Sequence, residues 1–153
     1  MLWIDDLFFS SNWNFKKKEV QDGFKTLKRS KFLIQKKQYD GSIIISLSEK
    51  GRLRALNIKF KGLSNRKDKW DKKWRMVAFD IPNYHRKGRD AIRYRLKTAG
   101  FRELQESLFI YPYDCEKEIR DFVKLFKLEE YVRFALVDYF DGQDKLITDF
   151  SLE

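Results

Sequence analysis

The sequence of 153 residues predicts an α+β fold in two units. Three observations carry that expectation. Between residues 74 and 153, short strand-like runs and two amphipathic helical stretches follow the order βαββαβ. Residues 1–60 read instead as helix, hairpin, helix. Between them, residues 61–73 (KGLSNRKDKWDKK) form a polar, charge-dense stretch without apolar periodicity, read as a basic linker.

In the first unit, Lys16 to Arg29 reads as a helix whose apolar stripe is Val20, Phe24 and Leu27, at steps of four and three. Gly23 inside it costs the helix about 1 kcal/mol. Phe32–Gln38 and Ser42–Leu47 read as strands around Tyr39-Asp40-Gly41, where Asp-Gly signals a tight turn. Ser48 is placed to cap a following helix with Leu53 and Leu56 on its inner face. Helix, basic hairpin and capped helix are the back half of a winged helix-turn-helix. Too few residues precede the hairpin for three helices of ordinary length, so the first helix is expected to be missing or very short.

In the second unit the expected order is strand Arg75–Phe79, helix Arg86–Ala99, strands Phe101–Leu104 and Ser107–Tyr113, helix Glu116–Phe126, strand Tyr131–Tyr139 and a terminal strand Lys145–Leu152. The first helix has an inner stripe of Gly88, Ile92, Leu96 and Ala99, and Gly100 ends it. The second has Ile119, Phe122, Val123 and Phe126. Such an order implies one antiparallel sheet with both helices on one face.

Composition narrows the function. Residues 1–73 hold 19 Lys and Arg against 8 Asp and Glu, a net charge of +11, whereas residues 74–153 carry 14 against 15. Basic residues concentrated in one part of a chain suit contact with phosphate, where each neutralising Lys or Arg releases condensed counterions. No apolar run approaches the roughly 18 residues that span a bilayer. The first residues carry acids where an export signal carries bases, so a cytoplasmic location is expected. The single cysteine, Cys115, excludes an intramolecular disulfide and a cysteine-based zinc cluster.

The segment 74–113 (WRMVAFDIPNYHRKGRDAIRYRLKTAGFRELQESLFIYPY) resembles the ferredoxin-like domain shared by two groups. These are the CRISPR-associated adaptation nucleases of the Cas-two family and the central domain of PaaX-type transcriptional repressors. The helix ending Leu-Lys-Arg-Ser-Lys-Phe-Leu-Ile and the later Leu-Ser-Glu-Lys-Gly-Arg also resemble a winged-helix unit. The resemblance implies a partial winged helix-turn-helix (1–60), the linker (61–73) and a ferredoxin-like domain (74–153) that dimerises. The long stretch before the first strand of that domain, Trp74-Arg75, and Tyr-Pro-Tyr-Asp after the third strand point to the PaaX side. The last of these replaces the more usual Ser-Pro-His-Asp.

On that reading the chain is a PaaX-like, DNA-binding transcription regulator, a homodimer without cofactor or membrane partner. Lys16, Lys17, Lys18, Lys25, Lys28 and Arg29 would lie on the recognition helix, and Lys36 and Lys37 on the wing. Arg86, Arg89, Arg93 and Lys97 recur at helical spacing, either as a phosphate-contacting ridge or as a solvent face paired with acids such as Asp90, Glu116, Glu118 and Asp121. Phe109, Tyr111 and Tyr113 share one sheet face and are expected to be covered by a second subunit. The alternative is an enzyme or adaptation scaffold. The resemblance to the nucleases implies that Asp80, after the first strand, would hold Mg²⁺ or Mn²⁺ with its counterpart across a dimer and support phosphodiester cleavage. Otherwise Asp80 caps the next turn or pairs with a helix arginine. His85 and Cys115 are assigned no role.

Overall fold

The computed structural model describes residues 17–66 and 68–153, and its contacts divide the chain into two compact units between Ala55 and Leu56. The first contains α1 (Lys17–Arg29), β1 (Leu33–Lys37), β2 (Ile43–Leu47) and the start of α2 (Glu49–Leu63). Asp40-Gly41 makes the hairpin turn as expected. Gly41 takes φ +84°, a left-handed conformation that glycine adopts at no steric cost, and the Asp40 carboxylate accepts the Ser42 N–H at 2.9 Å. The strands are antiparallel, from Leu33 opposite Leu47 to Lys37 opposite Ile43.

Ser48 caps α2. Its Oγ accepts the Gly51 N–H at 3.0 Å and donates to the Lys31 carbonyl at 2.7 Å. A Cβ at Gly51 would lie 2.2 Å from the Phe32 carbonyl oxygen, so α2 approaches the start of β1 as closely as only glycine permits. The helix runs on to Leu63, three residues into the stretch read as linker. Leu56, Phe60 and Leu63, at steps of four and three, are buried in the core of the second unit, while Lys61 and Gly62 are exposed on the outer side. The charge of the exposed residues masked this stripe in the sequence.

The second unit has a four-stranded, wholly antiparallel sheet in the order β4-β5-β3-β6, from β3 (Trp74–Phe79), β4 (Arg102–Gln105), β5 (Leu108–Tyr111) and β6 (Val132–Val137). Helices α3 (Arg86–Thr98) and α4 (Glu116–Phe126) cover one face. Their stripes fall where periodicity put them. Ile92, Leu96, Ala99, Ile119, Phe122 and Val123 are buried together with Val77, Phe79 and Phe109. Gly100 follows α3 at φ +92°, and Gly88 lets α3 approach Leu128, whose Cδ1 would lie 3.1 Å from an added Cβ. The chain is thus a mixed α+β protein with two antiparallel sheets, and none of the described helices is long and apolar enough to cross a membrane.

Two expectations are corrected. The terminal strand Lys145–Leu152 is instead a helix, α5 (Gln143–Asp149), entered through Gly142 at φ +84°. Leu146, Ile147 and Phe150 recur at one and three residues, a helical spacing, and join Trp70, Trp74, Ile110 and Phe140 in a second apolar cluster. The Trp74 indole N–H donates to Gln143 Oε1 at 3.0 Å, fixing α5 against the strand.

The second correction concerns Phe109, Tyr111 and Tyr113. Phe109 and Tyr111 are 0% and 3% exposed within their own unit, so they need no second subunit to cover them. They stand opposite Val77 and Arg75 in the sheet and face the helices. Tyr111 donates its hydroxyl proton to the Leu63 carbonyl at 2.6 Å. Tyr113 lies beyond β5, half-buried, edge-on to Tyr111 at 5.6 Å. Both sides of β5 are apolar, so alternation alone did not say which set meets the helices.

Candidate functional site

The bases of the first unit fall into distinct positions. Lys16 lies outside the described residues, and Lys17 and Lys18 form the first turn of α1. Lys25 reaches Asp22 at 3.6 Å, both side chains being mostly exposed. Lys28 donates to Gln35 Oε1 at 3.0 Å, joining the end of α1 to β1. Arg29, Lys36 and Lys37 are exposed, with no hydrogen bond or ion pair among the described residues. Because strand side chains alternate, Lys37 shares the α1 side of the hairpin with Gln35 and Lys36 points to the other. Lys28 and Lys37 therefore belong to one surface and Lys36 to another.

Further bases join this unit that the sequence reading did not single out. Lys31 is exposed in a left-handed conformation at φ +59° between α1 and β1. Lys50 donates to the Ser30 carbonyl at 3.2 Å and stands 5.0 Å over the Phe32 ring. Arg52 and Arg54 are exposed on the first turns of α2. The run Lys-Gly-Arg-Leu-Arg after the Ser48 cap was the available signal.

Asp80 leaves the end of β3 exposed, and its backbone N–H donates to the Tyr131 carbonyl at 3.0 Å. It borders a cleft of about 530 Å³ lined also by Arg89, Asp90, Arg93, Glu106 and Ser107. Among the described residues, no three His, Cys, Asp or Glu side chains come together in a way that could hold a metal ion. The Asp80 side chain has no hydrogen bond or ion pair among them.

The ridge on α3 meets acids closer to home than expected. Arg86 pairs with Asp90 at 3.5 Å, and Arg93 with Glu103 at 3.7 Å and Glu106 at 3.6 Å. Lys97 reaches Glu103 at 2.7 Å. The Lys97 hydrogen bond, aided by Arg93, holds the Glu103 carboxyl below its ordinary pKa. Arg89 donates to the Ile81 carbonyl at 3.4 Å, a long contact. Of the acids named from the sequence, Asp90 meets the ridge and the other three serve elsewhere: Glu116 holds Arg120, Glu118 meets Arg66 at 3.9 Å, and Asp121 accepts from Lys59 at 2.8 Å.

Arg75 is the buried charge of the second unit. Its guanidinium makes a two-pronged pair with Asp71 at 2.6 and 2.7 Å and donates to the carbonyls of Lys73 and Pro112. Asp71 is thereby held below its ordinary pKa and Arg75 above its own. This clamp, with the Trp70 ring 5.1 Å from that of Trp74 and inclined 57° to it, fastens the segment before β3 to the sheet. Burial pushes the Cys115 thiol up, leaving it protonated and unreactive at neutral pH.

The family described as PaaX protein central Cas2-like domain matches residues 67–146, just over half of the chain. No curated protein and no solved structure matches. The match covers the four-stranded sheet, α3, α4 and the Arg75 clamp, and it includes Asp80 and the arginines of α3. The chain belongs to the PaaX family, with residues 67–146 as its central Cas2-like domain.

Proposed function

We propose that the chain is a DNA-binding transcription regulator whose first unit contacts duplex phosphates and whose Cas2-like unit joins two copies. The observation that carries this reading is the state of the cations. In the second unit eight of the 20 described Lys and Arg residues meet carboxylates. In the first, only Lys25 does so among the described residues, leaving Arg29, Lys36, Lys37, Arg52 and Arg54 exposed for an outside anion. The order helix, hairpin and capped helix supports a winged-helix reading with Lys36 and Lys37 on the wing. The sheet order β4-β5-β3-β6, with two helices on one face, supports a ferredoxin-like reading. Family membership supports regulation in a cytoplasmic setting.

Arg86 and Arg93 take a lesser part on this reading, since DNA would have to displace their carboxylates. Replacing Lys25, Lys28, Lys36 and Lys37 together by Gln tests the assignment through the slope of log affinity for duplex DNA against log salt. The slope is expected to flatten by roughly 3 to 4, near 0.9 for each phosphate no longer neutralised. An unchanged slope contradicts it.

The exposed Asp80 carboxylate at the Arg89–Arg93 cleft favours a second reading, a metal-dependent nuclease or adaptation scaffold. Asp80→Asn distinguishes the two. The regulator keeps its DNA affinity, and the nuclease loses Mg²⁺- or Mn²⁺-dependent cleavage.

A further inference from the structure

α1 ends in a turn that a lysine closes. The Phe32 N–H donates to the Leu27 carbonyl and the Lys31 N–H to the Lys28 carbonyl, both at 3.0 Å, the paired bonds of a Schellman turn. The left-handed position of such a turn is usually glycine, as at Gly100 after α3. Here Lys31 takes it at φ +59°, at a steric cost that glycine would not bear. The Lys31 side chain is exposed and makes no hydrogen bond or ion pair among the described residues.

The start of α2 holds this turn in place. The Ser48 N–H donates to the Phe32 carbonyl at 2.8 Å, Ser48 Oγ to the Lys31 carbonyl at 2.7 Å and Lys50 Nζ to the Ser30 carbonyl at 3.2 Å. Three successive carbonyls are thus occupied, so the turn offers an outside partner donors and positive charge rather than acceptors. Lys50 uses one of its three N–H groups there. Arg54, four residues on, shares its helix face and is exposed. Lys28 and Arg29 stand in the last turn of α1, just before.

The described acids of this unit are Glu19, Asp22, Asp40 and Glu49. Glu19 lies in the first turn of α1, Asp22 meets Lys25, and Asp40 binds Ser42 in the hairpin turn. Glu49 is adjacent to Lys50, but helical spacing sets it beside Arg52 rather than Arg54. The turn after α4 gives a contrast. Lys127 takes the same conformation at φ +55°, with the Leu128 N–H on the Val123 carbonyl and its own on Lys124. There the exposed acids Glu129 and Glu130 follow at once. The two turns share a backbone and differ in surrounding charge.

We propose that the turn at Lys31, with Lys50 and Arg54 beside it, is a contact site for backbone phosphates of bound duplex DNA. The proposal rests on the DNA-binding reading and deepens it. A phosphate oxygen only accepts hydrogen bonds, which suits a fixed turn that presents cations and has its own carbonyls taken. Such a contact positions the unit along the duplex and reads no sequence.

Salt titrations of the full chain on labelled duplex DNA in EDTA test the site. Lys31→Gly removes the charge and suits the left-handed backbone. The slope of log affinity against log salt should flatten by about 0.9, while the urea midpoint does not fall. The loss should be alike on duplexes of unrelated sequence. Lys31→Arg, which keeps the charge, should keep the wild-type slope. Adding Arg54→Gln to Lys31→Gly should flatten it by about 0.9 again. Lys127→Gly makes the same change of charge and backbone in the second unit and should leave the slope as it is. Wild-type binding with a slope unmoved by Lys31→Gly and Arg54→Gln together overturns the contact and leaves the DNA-binding reading standing. So does an equal flattening by Lys127→Gly, which would make net charge alone the cause. A wild type that binds no duplex overturns both.

Discussion

The two units hold their shape by different means. Among the described residues, every buried core hydrophobic lies at Leu56 or later. In the first unit Val20, Ile34 and Ile43 are 55%, 43% and 53% exposed, and shape comes from local bonds: the Asp40 turn, the Ser48 cap and the Lys28–Gln35 tie. The charges divide in the same sense. Eight of the 20 described cations of the second unit are engaged by acids, against Lys25 alone in the first. Burial builds the second unit and part of its charge is paired internally, whereas the cations of the first are nearly all without a carboxylate among the described residues.

The difference breaks most sharply under truncation. Phe109→Ala, at a fully buried position, is expected to cost about 3–5 kcal/mol in urea unfolding. Val20→Ala, on the exposed side of α1, should change stability by less than about 1 kcal/mol. Equal losses at the two positions would mean that the first unit has a comparable core.

Next in size is the Arg75 clamp. Asp71→Asn leaves a buried guanidinium short of its counter-charge, and about 1–2 kcal/mol of stability should be lost, less than for a fully buried pair because Asp71 is half exposed. The Asp71 pKa in the folded chain lies below the ordinary 3.8. Its contribution is therefore present above that value and lost as pH falls through the lower folded value. Urea titrations between pH 7 and 2.5 should show the wild type losing more stability on acidification than Asp71→Asn. Parallel curves would place the acid sensitivity elsewhere.

Gly88→Ala sharpens the packing side of the comparison. Alanine gains up to about 1 kcal/mol of helix propensity over glycine. The new Cβ would meet Leu128, which is fully buried and has little room to withdraw, so a net loss of about 1 kcal/mol is expected on thermal unfolding. The smallest effect is reserved for Glu103→Gln. It breaks the pairs with Lys97 and Arg93 at a partly exposed site and should cost well under about 1 kcal/mol, with the loss fading in high salt.

Much of the architecture was legible in the sequence because its helices announce themselves. The stripes of α3 and α4, the Asp-Gly turn, the Ser48 cap and Gly100 each rest on a local rule of spacing or backbone conformation. What escaped needed tertiary information. The extension of α2 through Phe60 and Leu63 hid behind Lys59, Lys61 and Gly62, and in α5 the even spacing of Leu146, Phe150 and Leu152 suits a strand as well as a helix. The facing of Phe109 and Tyr111 depended on which side of an apolar strand the helices occupy.

The charge division changes when the structural boundary replaces the expected one. Residues 1–55 carry a net +6 and residues 56–153 a net +4, because the basic stretch after Leu56 belongs to the second unit. There Lys59, Arg66 and Lys73 already meet acids. Net charge thus separated the units less well than the pairing of each cation does, and pairing is not visible in a sequence. The candidate residues fared similarly. Lys36 and Lys37 are adjacent in sequence yet point to opposite sides of the hairpin, and the ridge of α3 found its acids on its own helix, on β4 and in the β4–β5 turn.

The most direct test of the central claim is one gel: the full chain with labelled duplex DNA, in EDTA and in Mg²⁺ or Mn²⁺, scored for both shift and cleavage. A shift that persists in EDTA with intact DNA, lost on replacing Lys25, Lys28, Lys36 and Lys37 by Gln and kept in Asp80→Asn, is the predicted result. Metal-dependent cleavage abolished by Asp80→Asn would contradict it, making the chain a nuclease and its basic first unit a substrate tether.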